Sequence, residues 1–317
     1  MTLLKSNTQQ WKKMGVVFEV NQNSEWMHSH ASFPKAFVMD DRIRVFFTTR
    51  DKNNRGRTAY VDVSKDNPLD VIGYSDKPVL DLGDPGTFDD CGVTPSSILK
   101  HEDKVYLYYH GWNALQLTPH RLTTGMAVSH DDGHNFQRYS RAPLFDRTDK
   151  EPIFSNNPCV LKDGDIWHMW YLCLEKWVPI KGRFEGLFTL YYGHSKDGIH
   201  WQRDHVVAIN KTYDHECISN ASVIKEDGIY KMWYSYRSVV DFREGNGAYL
   251  IGYAESKDAK NWTRQDDAIQ LERPKEGWDS VMLSFPSVVT LNDKRYMFYN
   301  GNGFGKTGIG LATLEKE

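Results

Sequence analysis

Carboxylates recur in this chain a few residues ahead of short apolar runs. Asp214, His215, Glu216 and Cys217 lead into SNASVI, and Asp89, Asp90 and Cys91 lead into GVTPSSIL. Glu151 precedes FSNNPCVL, and Asp279 precedes VMLSFPSVV. Two carboxylates gathered in one site can share the roles of acid and base, or of acid and nucleophile, at a glycosidic bond. Glu216 is expected to donate the proton, in apolar surroundings that raise its pKa. Asp90 is expected to act as base or nucleophile, with Glu151 as a third carboxylate. Asp89, Asp279, His28, His30, Arg50, His110, Trp112, Trp177, Arg237, Asn300 and Lys306 are expected to hold the substrate. Indole faces stack on sugar rings, amides and imidazoles reach hydroxyls, and guanidinium groups pair with anions. His28 and His30 have the spacing of alternate strand residues, and no further His or Cys completes a ligand set, so no metal or other cofactor is expected.

These residues must be positioned by a repeat. SFPKAFVMDDRIRVFFTTRD, VTPSSILKHEDKVYLYYHGW, NNPCVLKDGDIWHMWYLCLE, SNASVIKEDGIYKMWYSYRS and SFPSVVTLNDKRYMFYNGNG each read as an apolar run, a polar turn and an aromatic run. That is the pattern of a β-hairpin. The shared pivots Pro34, Pro95, Pro158, Ala221 and Pro286 lie 61, 63, 63 and 65 residues apart. A second hairpin fits in each interval. GMAVSHDDGHNFQRYSRAPLF, YYGHSKDGIHWQRDHVVAI and IGYAESKDAKNWTRQDDAIQL each hold a strand, a Ser-x-Asp turn, an aromatic, a basic residue and another strand. Four strands repeated five times describe an all-β, five-bladed β-propeller, one domain over residues 1–317. After Pro286 only three strands remain, and QWKKMGVVFEV near the start has the form of the missing fourth. Residues 11–18 are therefore expected to pair with 307–314 and close the last blade. The start of each first strand and the end of each second strand share one face, so the chemistry-bearing residues should converge on one funnel.

Other features bound the function. Lys and Arg number 39 against 42 Asp and Glu, a net charge of −3, which predicts no binding to nucleic acid or to an anionic membrane. No leader-like or membrane-length apolar run stands out, so a cytoplasmic location is expected. Cys91, Cys159, Cys173 and Cys217 fit no zinc spacing or disulfide framework and are read as reduced. The Ser-x-Asp turns should tie themselves. The glycine-rich NGNGFGKTG (300–308) lacks the spacing of a phosphate loop and reads as a funnel-side loop.

Through the blade repeat, SKDGIHW and the pivot strands, the whole chain resembles the five-bladed propeller glycosidases of glycoside hydrolase families 32, 43, 62, 68, 117 and 130. FDDCGVTPSSIL and YNGNGFGKTGIG also resemble glycosidase-like proteins of bacterial polysaccharide clusters. The resemblance implies a glycoside-active enzyme and a small-molecule or oligosaccharide substrate, small or activated, and the expected place of Arg50 and Arg237 in the funnel predicts an anionic one. It also admits a phosphorylase or glycosyltransferase in which Arg50, Arg237 and Lys306 hold phosphate, and a carbohydrate-binding propeller without catalysis. The family 43 pattern places Asp, Asp and Glu where this chain has Phe33, Thr94 and Asn156. Those three roles do not carry over, and the carboxylates set a few residues earlier are the remaining candidates.

Overall fold

The computed structural model describes residues 8–20, 24–243 and 245–316. Each repeat begins with a hairpin whose first strand ends in a tight polar turn. The first strands are Ser29–Val38, Gly92–His101, Phe154–Asp163, Glu216–Glu226 and Ser284–Leu291. Each packs against the next, and the last returns to the first. Their partners carry the aromatic runs: Arg42–Arg50, Lys104–Ala114, Ile166–Ile180, Ile229–Ser238 and Lys294–Asn300. Third strands are long, whereas two of the outermost, Gln137–Arg138 and Thr263–Arg264, are only two residues each.

Apolar clusters fill the spaces between successive sheets. Val45 and Val61 meet Phe298 and Leu311. Phe46 meets Leu107 and Ala127, and Tyr108 and Met126 meet Met169 and Tyr191. Trp170 and Leu190 meet Met232 and Ala254, and Trp233 and Tyr253 meet Met297 and Ala312. A fully buried side chain of this size contributes about 1.5–3 kcal/mol, so these faces supply most of the driving force.

The N-terminal strand Gln9–Phe18 pairs antiparallel with Ile309–Lys316, Trp11 opposite Leu314 and Val16 opposite Gly310. The expected pairing of 11–18 with 307–314 is thus met with small differences at the ends. The sheet boundaries differ more. Three hydrogen-bonded sheets are separate, but the first two repeats join into one eight-stranded sheet through the single parallel pair Gly56 and Gly92. Two glycines permit this approach. A Cβ at Gly92 would lie 1.6 Å from the Trp112 indole nitrogen.

The Ser-x-Asp turns tie themselves as expected. The Ser129, Ser195 and Ser256 hydroxyls donate to Asp131, Asp197 and Asp258, which also accept backbone N–H groups. Asp131 is lowered to about 2: burial opposes the shift, and bonds from Asn135 and Ser129 outweigh it.

Every first strand carries a β-bulge at its pivot, seen as a register shift between Ser32 and Lys35, Pro95 and Ser97, Asn156 and Cys159, Ser219 and Ser222, and Ser284 and Ser287. Phe33, Asn157, Asn220 and Phe285, each just before a pivot, have φ between 51° and 58°. This conformation strains a bulky L-residue and is held only where neighbours enforce it. Here Asn300 Oδ1 accepts the Phe33 N–H at 2.8 Å, and Ser235 Oγ accepts that of Phe285 at 2.8 Å. The bulges turn all four side chains into the same cavity.

Candidate functional site

That cavity, of about 330 Å³, lies at the starting ends of the first strands. Phe33 and Phe285 stack at its floor with ring centroids 4.0 Å apart and planes 9° apart. His110 meets Phe33 edge-on at 5.5 Å, and its Nδ1 lies 3.1 Å from Ser96 Oγ. Burial, then the charges of His120 and Lys35, lower His110 to about 3, so it is neutral at physiological pH. The long hairpin of Ile166–Ile180 and Arg183–Ser195 extends over one side and supplies Trp177, Phe184, Glu185 and Phe188. Trp177 packs against His120 and Phe154. Arg237, Phe242, Arg243 and Tyr249 line the cavity beside this hairpin.

The charges are unequal. Arg50, Arg237 and Arg243 line the cavity, and among the described lining residues the only carboxylate is Glu185. Glu185 is already engaged by Arg183 at 2.9 Å and by both prongs of Arg243 at 3.1 and 3.0 Å. Arg237 is 5% exposed. Its guanidinium lies 3.6 Å from the Phe242 ring centroid and 4.8 Å from that of Phe188. It donates to the carbonyls of Ser238 and Gly186, and its Nε has no partner among the described residues. No described carboxylate lies within ion-pair distance of it. Arg50 donates to Asn54 Oδ1 at 3.0 Å, and burial lowers its pKa. His30 lies beside the cavity and is lowered to about 4 by burial and by the nearby charges of Arg50 and Lys306.

Of the residues expected in the funnel, Arg50, His110, Trp177 and Arg237 line the cavity, with His30 near both Arg50 and Lys306. The carboxylates are elsewhere, and the reason repeats from sheet to sheet. In the second, third and fifth repeats a tyrosine of the second strand and a cation of the outermost strand clamp the carboxylate. Tyr109 and Arg138 bond Asp89 at 2.9 and 2.8 Å. Tyr171, Ser155 and Arg203 hold Glu151. Tyr299 and Lys13 bond Asp279 at 2.9 and 2.6 Å. In the fourth repeat Tyr234 bonds Asp266, and Arg264 bridges Asp266 to Glu216 with contacts of 2.7, 2.9 and 2.6 Å. Burial pushes Glu216 up, but Arg264 and the Thr212 N–H outweigh it and leave its pKa below the ordinary value. This corrects the expectation of apolar surroundings that raise the pKa of Glu216. Asp90 accepts from Gly86 N–H and Asn113 in its own loop. Trp112 covers Gly56 and Gly92, His28 bonds through its N–H to the Arg50 carbonyl, and Asn300 is the clamp on Phe33. None of these lines the cavity.

Phe33, Phe285, Asn220 and Arg243 are in the site without having been picked from the sequence as its residues. The repeated Ser-Phe-Pro of residues 32–34 and 284–286 was a usable signal for the first two.

No family model matches the chain. It is 32% identical to the uncharacterized protein Rv1502 of Mycobacterium tuberculosis over 307 residues, 96% of this chain and 99% of the relative. An 80-residue segment, 25% of this chain and 15% of the relative, is 31% identical to the sucrose-6-phosphate hydrolase of Bacillus subtilis. Among solved structures, a glycoside hydrolase superposes with a TM-score of 0.73 at 18% identity, over 95% of this chain and 90% of the other. The fold is therefore the all-β fold of the propeller glycosidase-like superfamily. The chain belongs to the family of Rv1502.

Proposed function

We propose that this protein is a glycosidase-like, five-bladed propeller of one domain, closed by its N-terminal strand, whose cavity binds an anionic saccharide. The observation that carries the reading is three guanidinium groups against one already paired carboxylate, within aromatic walls. Aromatic faces receive a sugar ring, and a desolvated guanidinium without a counter-ion favours a carboxylate or phosphate on that sugar. The name of the Bacillus relative supports a phosphorylated sugar as one member of the class. A second reading has a specific observation behind it. A cavity with one carboxylate suits phosphorolysis, in which inorganic phosphate replaces the second carboxylate as the attacking group and the arginines hold it.

Calorimetric titration with sugar phosphates, uronic acids and their neutral parents tests the first reading. Only the anionic members are expected to bind. Arg237→Lys should weaken them by about 1.5–3 kcal/mol, the worth of a hydrogen bond to a charged group, or roughly 10- to 150-fold. Lysine replaces a planar fork by a point charge and loses the stacking on Phe242. Neutral sugars binding as tightly, with no response to the substitution, would overturn the reading. Turnover that requires added phosphate would select the second.

A further inference from the structure

A second cavity, of about 290 Å³, is lined by the first strands beyond their pivots. Lys35 stands in it immediately after the bulge of Ser29–Val38 and is 6% exposed. Among the described residues its ammonium has no hydrogen-bond or ion-pair partner, and no carboxylate lines the cavity. The other two lysines there lie outward. Lys100 is 3.9 Å from Asp132, and Lys162 donates to the Gly164 carbonyl. Burial lowers Lys35 to about 8, which leaves it mostly charged at neutral pH, and burial raises the nearby Cys159 thiol to about 11, which keeps it neutral. An enclosed cation without a counter-charge is expensive unless something else supplies the charge.

The walls offer donors as well. Ser222 Oγ accepts the Val288 N–H at 2.9 Å and Ser287 Oγ accepts the Ala36 N–H at 2.8 Å, latching neighbouring strands together. Each hydroxyl therefore keeps its own proton, with no acceptor among the described residues. Both line the cavity with Lys35. We propose that this cavity is a binding site for a small inorganic anion, with Lys35 as its charge and the Ser222 and Ser287 hydroxyls as further donors. It is separate from the saccharide cavity, and the inference does not rest on the function proposed for that cavity.

The experiment is melting of the whole protein in gluconate buffer, with chloride or inorganic phosphate added at constant ionic strength. Both the natural chain and Arg237→Lys are expected to melt higher as the small anion is added, because a ligand of the folded state stabilises it. Lys35→Met should lose at least about tenfold in anion affinity, the loss of one charged hydrogen bond. It should also be no less stable than the natural chain in gluconate. Response to chloride identifies a halide site, and response to phosphate alone an oxyanion site. If Lys35→Met does not fold, a bromide-soaked crystal of the natural protein gives the answer through an anomalous peak within hydrogen-bonding distance of Lys35 Nζ. An undiminished response in Lys35→Met, no response in the natural chain, or bromide found only elsewhere overturns the proposal.

Discussion

Deleting residues 1–20 is expected to leave a chain that does not melt cooperatively and that self-associates. Within the described part of that segment, Trp11 is 5% exposed and meets Trp233 edge-on at 6.1 Å. Both indole N–H groups donate to Gln9 Oε1, at 3.2 and 3.0 Å. Val17 belongs to the cluster shared by the first and last repeats. Truncating a buried tryptophan alone costs about 3–5 kcal/mol. The deletion also removes Lys13 and leaves the Asp279 carboxylate buried with only Tyr299. Together these approach the whole stability of an ordinary domain, about 5–15 kcal/mol. The loss uncovers the backbone edge of Ile309–Lys316, which then pairs with other chains. Circular dichroism and size-exclusion chromatography read both effects, and a peptide of residues 8–20 added in trans should restore part of the transition. A truncated protein that melts with the full-length one would show that this strand does not close the ring.

Glu216→Gln is expected to act on stability and not on the saccharide cavity. Glu216 is fully buried and grips Arg264 through both oxygens. Removing one partner of a buried pair costs about 3–5 kcal/mol when the other charge is left uncompensated; Arg264 keeps Asp266, so a loss near the lower end is expected. The pH dependence has a definite sign. The folded-state pKa of Glu216 is depressed, so its stabilisation is present above the unfolded value of about 4.3 and fades as pH falls through the lower folded value. The glutamine variant should therefore lie well below the natural protein at neutral pH and approach it in acid. Ligand affinity measured on the folded fraction should not change. Unaltered melting combined with lost turnover would return Glu216 to the role of proton donor.

The hairpins, their period and the terminal strand were legible because alternating apolar runs and polar turns are local properties of the chain. The placement of the carboxylates was not, although its signal was present. Tyr109, Tyr171, Tyr234 and Tyr299 hold one position in the aromatic runs, and Phe47 holds it in the first repeat. Arg138, Arg203, Arg264 and Lys13 each stand two residues after Phe136, Trp201, Trp262 and Trp11. A hydroxyl and a cation recurring at fixed places announce a repeated partner for an acid, and the first repeat, with no tyrosine, has no acid in the matching place. Counting carboxylates before each pivot found residues that the structure bonds to neighbouring groups outside the cavity. The bulges were hidden for another reason. A single extra residue redirects Phe33 and Phe285, and that redirection depends on Asn300 and Ser235, which are distant in the chain. Arg243 meets Glu185 only because the long hairpin and residues 237–249 converge in space.

The most direct measurement is a crystal structure of the protein soaked with a sugar phosphate. The expected result places the phosphate oxygens against Arg237 or its neighbours Arg50 and Arg243, with the sugar ring between the Phe33–Phe285 stack and Trp177. A sugar bound instead beside Asp90 and Glu216, with the arginines untouched, would contradict it.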